Sequence, residues 1–322
     1  MQNVRALRLT AGGTLALVIL VSVGTAAEDW TWDEQPGKSL ALRRGETVVW
    51  QFNFGSDEPK PFFHPVALAD GRVVTWNRPP DHVWHHGLWF SWKYVNGLNY
   101  WEPDRATGKP RGSTEWGNVT LTTNDDRTAR IAMDLTYRPR DGNPVMTEKR
   151  VVEISAPDAD GGYFFDWIST FTAGEQDVVL DRTPPPGEPG GKAWGGYAGL
   201  SLRLSKEFAS RAAHSTEGPI DYGKHNRFRG KSPALDYHGL IGGKPIGVAV
   251  CDHPGNLNHP TPWYSIRGNP MSFFSPAVIC YEPHTIKAGK SLTLRYRVIV
   301  HRDRWDAPRL KKAYAEFARE GS

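Results

Sequence analysis

The chain has 322 residues with 39 Lys+Arg, 35 Asp+Glu and 11 His, a formal net charge of +4. Residues 1–27 hold two of those arginines, Arg5 and Arg8, and no acid, which leaves 37 basic against 35 acidic residues. So even a balance excludes the concentrated basic face that nucleic acid requires, and the longest basic group (Arg302, Arg304, Arg309, Lys311, Lys312) reads as the solvated face of a C-terminal helix.

In chain order, MQNVRALRLTAGG is followed by the apolar run TLALVILVSVG and by the small residues Thr25-Ala26-Ala27. The run has the length of a signal-peptide core, not of a membrane span. The expectation is a cleaved signal over residues 1–27, export to the periplasm or beyond, no membrane span thereafter, and one domain over residues 28–322.

The periodic segments that follow read as strands: ETVVWQFNF, NVTLTT, RIAMDLTYRP, EKRVVEIS, YFFDWISTFT, GLSLRLS, IGVAVCD, SFFSPAVICYE and SLTLRYRVIVH. They are short, β-branched and aromatic, and often alternate. APDADGG, IGGKP and KAGK supply turn chemistry between them. One helix is expected, DAPRLKKAYAEFAREG, with Asp306 as N-cap and Leu310, Tyr314 and Phe317 on one face. The fold class is all-β, a large antiparallel β-sandwich with a short C-terminal helix.

Cys251 and Cys280, the only cysteines, each lie in an apolar run read as a buried strand. One disulfide and two buried thiols are both compatible with that placement. Residues 181–196, DRTPPPGEPGGKAWGG, form a Pro/Gly-rich connection of unusual length for a β domain. It is either a loop over a site or a surface insertion.

PPDHVWHHGLWFSW, residues 79–92, places His82, His85 and His86 around Trp84, beside Asp81. Pro79-Pro80 and Gly87 favour a loop leading into a strand, so the three imidazoles can converge at i, i+3 and i+4. Clustered imidazoles suit acid–base catalysis or metal ligation, with His82 and His85 as the candidate ligands of a divalent ion. His-x-x-His-His has no metal-specific spacing, and no cofactor is otherwise indicated.

Further candidates are His64 in KPFFHPV and His253, His259 and Trp263 in CDHPGNLNHPTPWY. Alone, His64 and His259 read as hydrogen-bonded structural histidines; as a set with the cluster they are expected to share a site. Glu282 follows a buried run and is either a carboxylate facing a ligand or a strand-end charge. Arg203, inside an apolar strand, needs an anionic partner, a structural carboxylate or a ligand oxygen. Six of the 13 tryptophans fall between Trp76 and Trp116; indoles stack on the C–H faces of sugars, and Trp89 and Trp263 lie near candidate polar groups. Nucleophile elbows, phosphate loops and dinucleotide fingerprints are absent from the sequence.

KPFFHPV, PPDHVWHHGLWFSWKYVNGLNYW, GGYAGLSLRL, HPTPWY and FFSPAVICYEP…AGKSLTLRYRV together resemble the PmoA family of exported bacterial proteins. The membrane copper subunit that lends that family its name is excluded, because no spanning helix follows the signal. The resemblance implies a carbohydrate-utilisation protein with a galactose-mutarotase-like supersandwich. Asp81-His82-x-x-His85-His86-Gly87 is similar to the Asn-His-x-His-Gly-Gly loop of mutarotases, with one residue more and Asp for Asn. Glu282 is the counterpart implied for their later glutamate.

Two functions compete. One is an enzyme acting on a sugar or keto-glycoside, an epimerase, lyase or hydrolase. There His64, His82, His85, His86 and Glu282 do the chemistry, and Asp81, Trp89, Arg203, His253, His259 and Trp263 hold the ring. The other is a protein that binds carbohydrate without turning it over. Converging titratable groups in a pocket distinguish the first from the second.

Overall fold

A computed structural model describes residues 30–320; the expected signal segment lies outside the described residues. Two nine-stranded antiparallel sheets stack face to face. The first runs Trp30–Gln35, Ser39–Arg44, Thr47–Asn53, Phe62–Val66, Leu88–Ser91, Gly199–Arg203, Ser272–Pro276, Pro262–Arg267, Arg227–Lys231. The second runs Gly218–Pro219, Ala209–Ser215, Ala234–Ile241, Lys244–Asp252, Ser291–His301, Tyr163–Ala173, Met146–Ile154, Ala129–Pro139, Gly112–Thr123. A small sheet of His284–Ile286, Val178–Asp181, Tyr94–Val95 and Leu98–Asn99 stands beside them. The all-β class is observed as expected, and among the described residues no helix is long and apolar enough to cross a membrane.

Alternation decides what faces the interior. In Ala129–Pro139 the residues Ala129, Ile131, Met133, Leu135 and Tyr137 are buried, while Arg130 and Asp134 are exposed. Inward rings from the two sheets meet at Phe63–Phe165 (4.9 Å between centroids) and Phe90–Phe171 (5.1 Å). The Tyr163 hydroxyl donates to the carbonyls of Val49 and Ala67 on the opposite sheet, at 3.1 and 2.9 Å.

The middle of the first sheet breaks this pattern. Leu88–Ser91, Gly199–Arg203 and Ser272–Pro276 are buried at every position, so both of their faces are covered. On the face turned away from the second sheet, register brings Phe62 beside Trp89, Trp89 beside Ser201, Arg203 beside Phe273, and Phe273 beside Ile266. Phe62, Trp89, Tyr264, Ile266 and Phe273 form a second apolar cluster there, joined by Trp101. Something must cover that cluster, and the covering loops build the site.

The helix spans Ala307–Arg319, Asp306 accepts the Arg309 N–H at 3.0 Å, and Leu310 and Phe317 are buried. SFFSPAVICYE is corrected: the strand ends at Pro276, and Ala277–Cys280 closes a buried turn through the Cys280 N–H on the Ala277 carbonyl (2.7 Å). An apolar run reports burial and not conformation, so a packed turn reads like a strand. Cys251 packs under the helix and Cys280 in the outer cluster. Both are free thiols, which burial pushes up to about 12 and about 11 respectively.

Candidate active site

Residues 79–87 are a loop of two successive turns. The His82 N–H donates to the Pro79 carbonyl (2.9 Å), the His85 N–H to the His82 carbonyl (3.0 Å), and the Arg78 N–H closes the loop on the His85 carbonyl (2.8 Å). That geometry brings two of the three imidazoles together. The His82 and His85 rings stack with centroids 4.7 Å apart, and both line one cavity. His86 turns away: its Nδ1 pairs with Asn77 Oδ1 at 3.1 Å and its ring lies on Phe62.

The cavity has a volume of about 260 Å³ and is lined by His82, Trp84, His85, Trp101, Glu102, Trp194, Tyr197, Arg227, Tyr264, Ile266, Met271 and Phe273. That space admits a small ring. Its floor is the outer face of the first sheet. Its walls are the 79–87 loop, the Trp101-Glu102 segment after Leu98–Asn99, and the Pro/Gly-rich loop, whose Trp194 is 53% exposed at the mouth. A larger cavity of about 930 Å³ lies between the hairpin at Glu34–Gly37 and the strand Gly112–Thr123, but no histidine lines it. Chemistry, not volume, selects the smaller one.

One wall carries a relay. His82 Nδ1 meets Asp81 Oδ2 at 2.9 Å, and both Asp81 oxygens accept from Arg203 at 2.8 Å. Burial would raise the Asp81 carboxyl, but the hydrogen bonds from Arg203 and His82 outweigh it and hold the group below the usual carboxylate range. An ionised Asp81 accepts the proton on Nδ1, so the neutral His82 ring keeps its lone pair on Nε2. Arg203 is wholly buried, with its guanidinium over Trp76 at 5.3 Å. It holds Asp81, the structural carboxylate, and does not line the cavity.

His85 is 3% exposed and sits between Trp89 (5.1 Å) and Phe273 (5.4 Å). Burial first, then the charges of His82 and Arg203, drive its pKa well below 6.5, so the ring is neutral at physiological pH. Its Nδ1 is buried with no protein partner among the described residues. Leaving such an atom unpaired costs about 1–3 kcal/mol.

The other wall carries an anion. Glu102 takes Lys93 and Asn99 (2.8 Å) on Oε2 and the Tyr197 hydroxyl (2.8 Å) on Oε1. Burial would raise its pKa, but the Lys93 charge and these three donors hold it low. Tyr197 packs on Trp101 at 5.0 Å. The cavity thus pairs aromatic surfaces with a fixed carboxylate, a tyrosine hydroxyl and an imidazole whose tautomer is set.

The remaining expected residues lie elsewhere. His64 Nδ1 pairs with Thr75 Oγ1 at 2.9 Å, and burial lowers its pKa to about 4. His259 joins Asp252 (2.7 Å) to the Tyr314 hydroxyl (3.2 Å), and His253 packs edge-on to Phe317, so both hold the C-terminal helix. Trp263 is in the core between the sheets, its indole N–H donating to the Ser232 carbonyl at 2.8 Å. Glu282 is exposed and outside the cavity lining. Trp89 lies beneath the cavity, in contact with His85.

His82 and His85, the expected ligand pair, stack at 29°, and His82 Nδ1 is already taken by Asp81. Among the described residues, the one group of three or more His, Cys, Asp or Glu donors is elsewhere.

The sequence matches the model of a family described as "Family of unknown function (DUF6807)" over residues 39–315. The chain belongs to the DUF6807 family. No curated protein matches this DUF6807 chain. Among solved structures it is similar to the galactosidase domain of an α-galactosidase–sucrose kinase, at 9% identity and a TM-score of 0.41, covering 84% of this chain and 41% of that one. It is also similar to a candidate aldose 1-epimerase from Klebsiella pneumoniae subsp. pneumoniae, at 7% identity and a TM-score of 0.41, covering 88% and 82%. The DUF6807 chain thus spans about two fifths of the first structure. The case for function rests on the cavity.

Proposed function

We propose that this protein is an exported enzyme that moves a proton on a single sugar ring, with His82 as the acid–base group. The observation that carries the reading is the Arg203–Asp81–His82 relay opening into a 260 Å³ aromatic cavity. Trp84, Trp101 and Trp194 offer flat faces to ring C–H groups, while Glu102, Tyr197 and the His85 imidazole offer polar partners to ring hydroxyls. The PmoA resemblance of the flanking motifs supports a sugar as the ligand, and the composition of residues 1–27 supports export.

Within the cavity Glu102 is the one carboxylate, already holding three donors. Two-carboxylate glycoside hydrolysis is therefore disfavoured. A single oriented imidazole suits anomeric epimerisation or elimination. His82 Nε2 accepts the anomeric O–H proton as the ring C–O bond opens and passes it to the ring oxygen, the reverse transfer closing the ring on the other face. In elimination it accepts a C–H proton as the β C–O bond breaks and passes it to the departing oxygen. Glu102 and Tyr197 fix the hydroxyl pattern. The competing reading, sugar binding without turnover, is favoured by the exposed Trp194 at the mouth.

A panel of monosaccharides and keto-sugars, followed by saturation-transfer and anomeric-proton NMR, tests the assignment. The expected result is a ligand that wild-type protein converts and His82→Gln binds, with turnover lowered about 10²–10⁴-fold. Full turnover by His82→Gln overturns the role of His82. Binding by wild type without conversion gives the non-catalytic reading.

A further inference from the structure

A second imidazole cluster lies on the other sheet, on the face that carries the C-terminal helix. Asp236 is completely buried there. Its Oδ2 meets His238 Nδ1 at 2.5 Å and its Oδ1 meets His301 Nε2 at 2.8 Å. His214 pairs in register with Asp236 from the neighbouring strand and stacks on His238 with centroids 5.0 Å apart. One donor atom from each of His214, Asp236 and His238 lies within 4.8 Å of the others.

The backbone is shaped around this group. Gly247 stands between His238 and His301 in the cross-strand row. A Cβ there would lie 2.4 Å from the His301 ring and 3.0 Å from the His238 Cβ. The missing side chain is what admits both imidazoles to one carboxylate. His214 Nδ1 and His301 Nδ1 are buried with no protein partner among the described residues, so the cluster holds more ring nitrogens than its one carboxylate can satisfy.

We propose that His214, Asp236 and His238 bind a divalent transition-metal ion of the zinc class. Two imidazoles and one carboxylate are a donor set for such an ion, with a position left for water. Donors on a tetrahedral zinc sit roughly 3.4 Å apart. The His238–Asp236 contact therefore opens, and half-buried His214 swings inward. His301 holds the second Asp236 oxygen and orients the ligand from behind, as outer partners of metal ligands do. The ion ties the strand Ala209–Ser215 to the middle of the sheet beneath the helix; it is separate from the cavity around His82.

The test is zinc titration of untagged, chelator-treated protein against a chromophoric competitor, in wild type, His214→Ala, Asp236→Asn and His82→Gln. The expected result is one saturable equivalent per chain. His82→Gln should leave it unchanged, and His214→Ala, at the accessible edge of the cluster, should weaken it at least about tenfold. Asp236→Asn, which preserves shape, should abolish it. No saturable binding in wild type overturns the proposal, as does equal affinity in folded His214→Ala. Binding lost only in His82→Gln would move the ion to the other site and overturn it too.

Discussion

Asp81 sits between two groups with opposite demands. Arg203, buried and charged, needs an anion; His82, half exposed, needs an acceptor to fix its tautomer. One carboxylate meets both, which is why an aspartate here does more than an amide can. In Asp81→Asn the carbonyl oxygen faces Arg203 and the NH₂ turns toward His82. It then donates to Nδ1 and forces the imidazole proton onto Nε2. The expected loss of turnover is about 10²–10⁴-fold with ligand binding retained, the magnitude seen when an orienting carboxylate is amidated. Imidazole ¹⁵N shifts read the tautomer without any substrate, and an unchanged Nδ1–H form in the variant would sink the argument.

At the scale of elements, the Pro/Gly-rich loop behaves as a fixed wall and not as a lid. Arg229 donates to the Ala193 carbonyl at 2.6 Å and to the Gly195 carbonyl at 2.8 and 3.0 Å, while its guanidinium rests on Tyr264. Arg182 grips Glu188 at 2.6 Å and the Cys280 and Tyr281 carbonyls. Gly196 has φ +99°, and a Cβ there would press on Cys280 Sγ at 2.6 Å, so only glycine lets the loop settle on the buried turn. Replacing Arg229 with Met removes charge-assisted bonds worth about 1.5–3 kcal/mol each but leaves the core intact. Ligand affinity should fall about tenfold or more, and limited proteolysis should begin to cut within residues 183–195. Equal affinity and protease resistance would mean that the loop holds Trp194 without Arg229.

That loop also shows what could be read in the sequence. Its composition and length marked it as unusual, but whether it covered a site depended on which strands ended beneath it. The same holds for the cavity floor. Tyr264, Ile266 and Phe273 belong to strands that are buried on both faces, and periodicity carries no information where nothing alternates. His82 and His85 were legible because proline and glycine frame a turn around them. Glu102 was not: Lys93 and Asn99 lie near it in the chain, but the turn that aims them at one carboxylate carries no sequence signal, and Tyr197 comes from a distant stretch and meets it only in the fold. His253 and His259 sat in an equally suggestive loop, yet the C-terminal helix claims them.

For the whole molecule, the buried histidines set an acid limit. Burial holds His64 at about 4 and His86 at about 2, and drives His85 well below 6.5. Unfolded, each titrates near 6.5. Their folded values are depressed, so below pH 6.5 the unfolded chain takes up protons that the native state refuses. The stability they confer is complete above 6.5 and erodes by about 1.4 kcal/mol per pH unit per group until the folded value is reached. His64 and His86 together amount to a loss of about 4 kcal/mol by pH 5, and His85 adds to it in the same direction. That is a large part of the roughly 5–15 kcal/mol that holds a typical domain folded. Most of this loss comes at a pH where the carboxylates are still ionised, so it is distinct from ordinary acid denaturation. Urea midpoints measured from pH 7.5 to 4.5 should be level at first and then fall steeply below 6.5, with a slope corresponding to two to three protons taken up on unfolding. A midpoint that stays level down to pH 5 would mean that these imidazoles charge freely in the native state, and that the floor of the cavity is wetter than its packing implies.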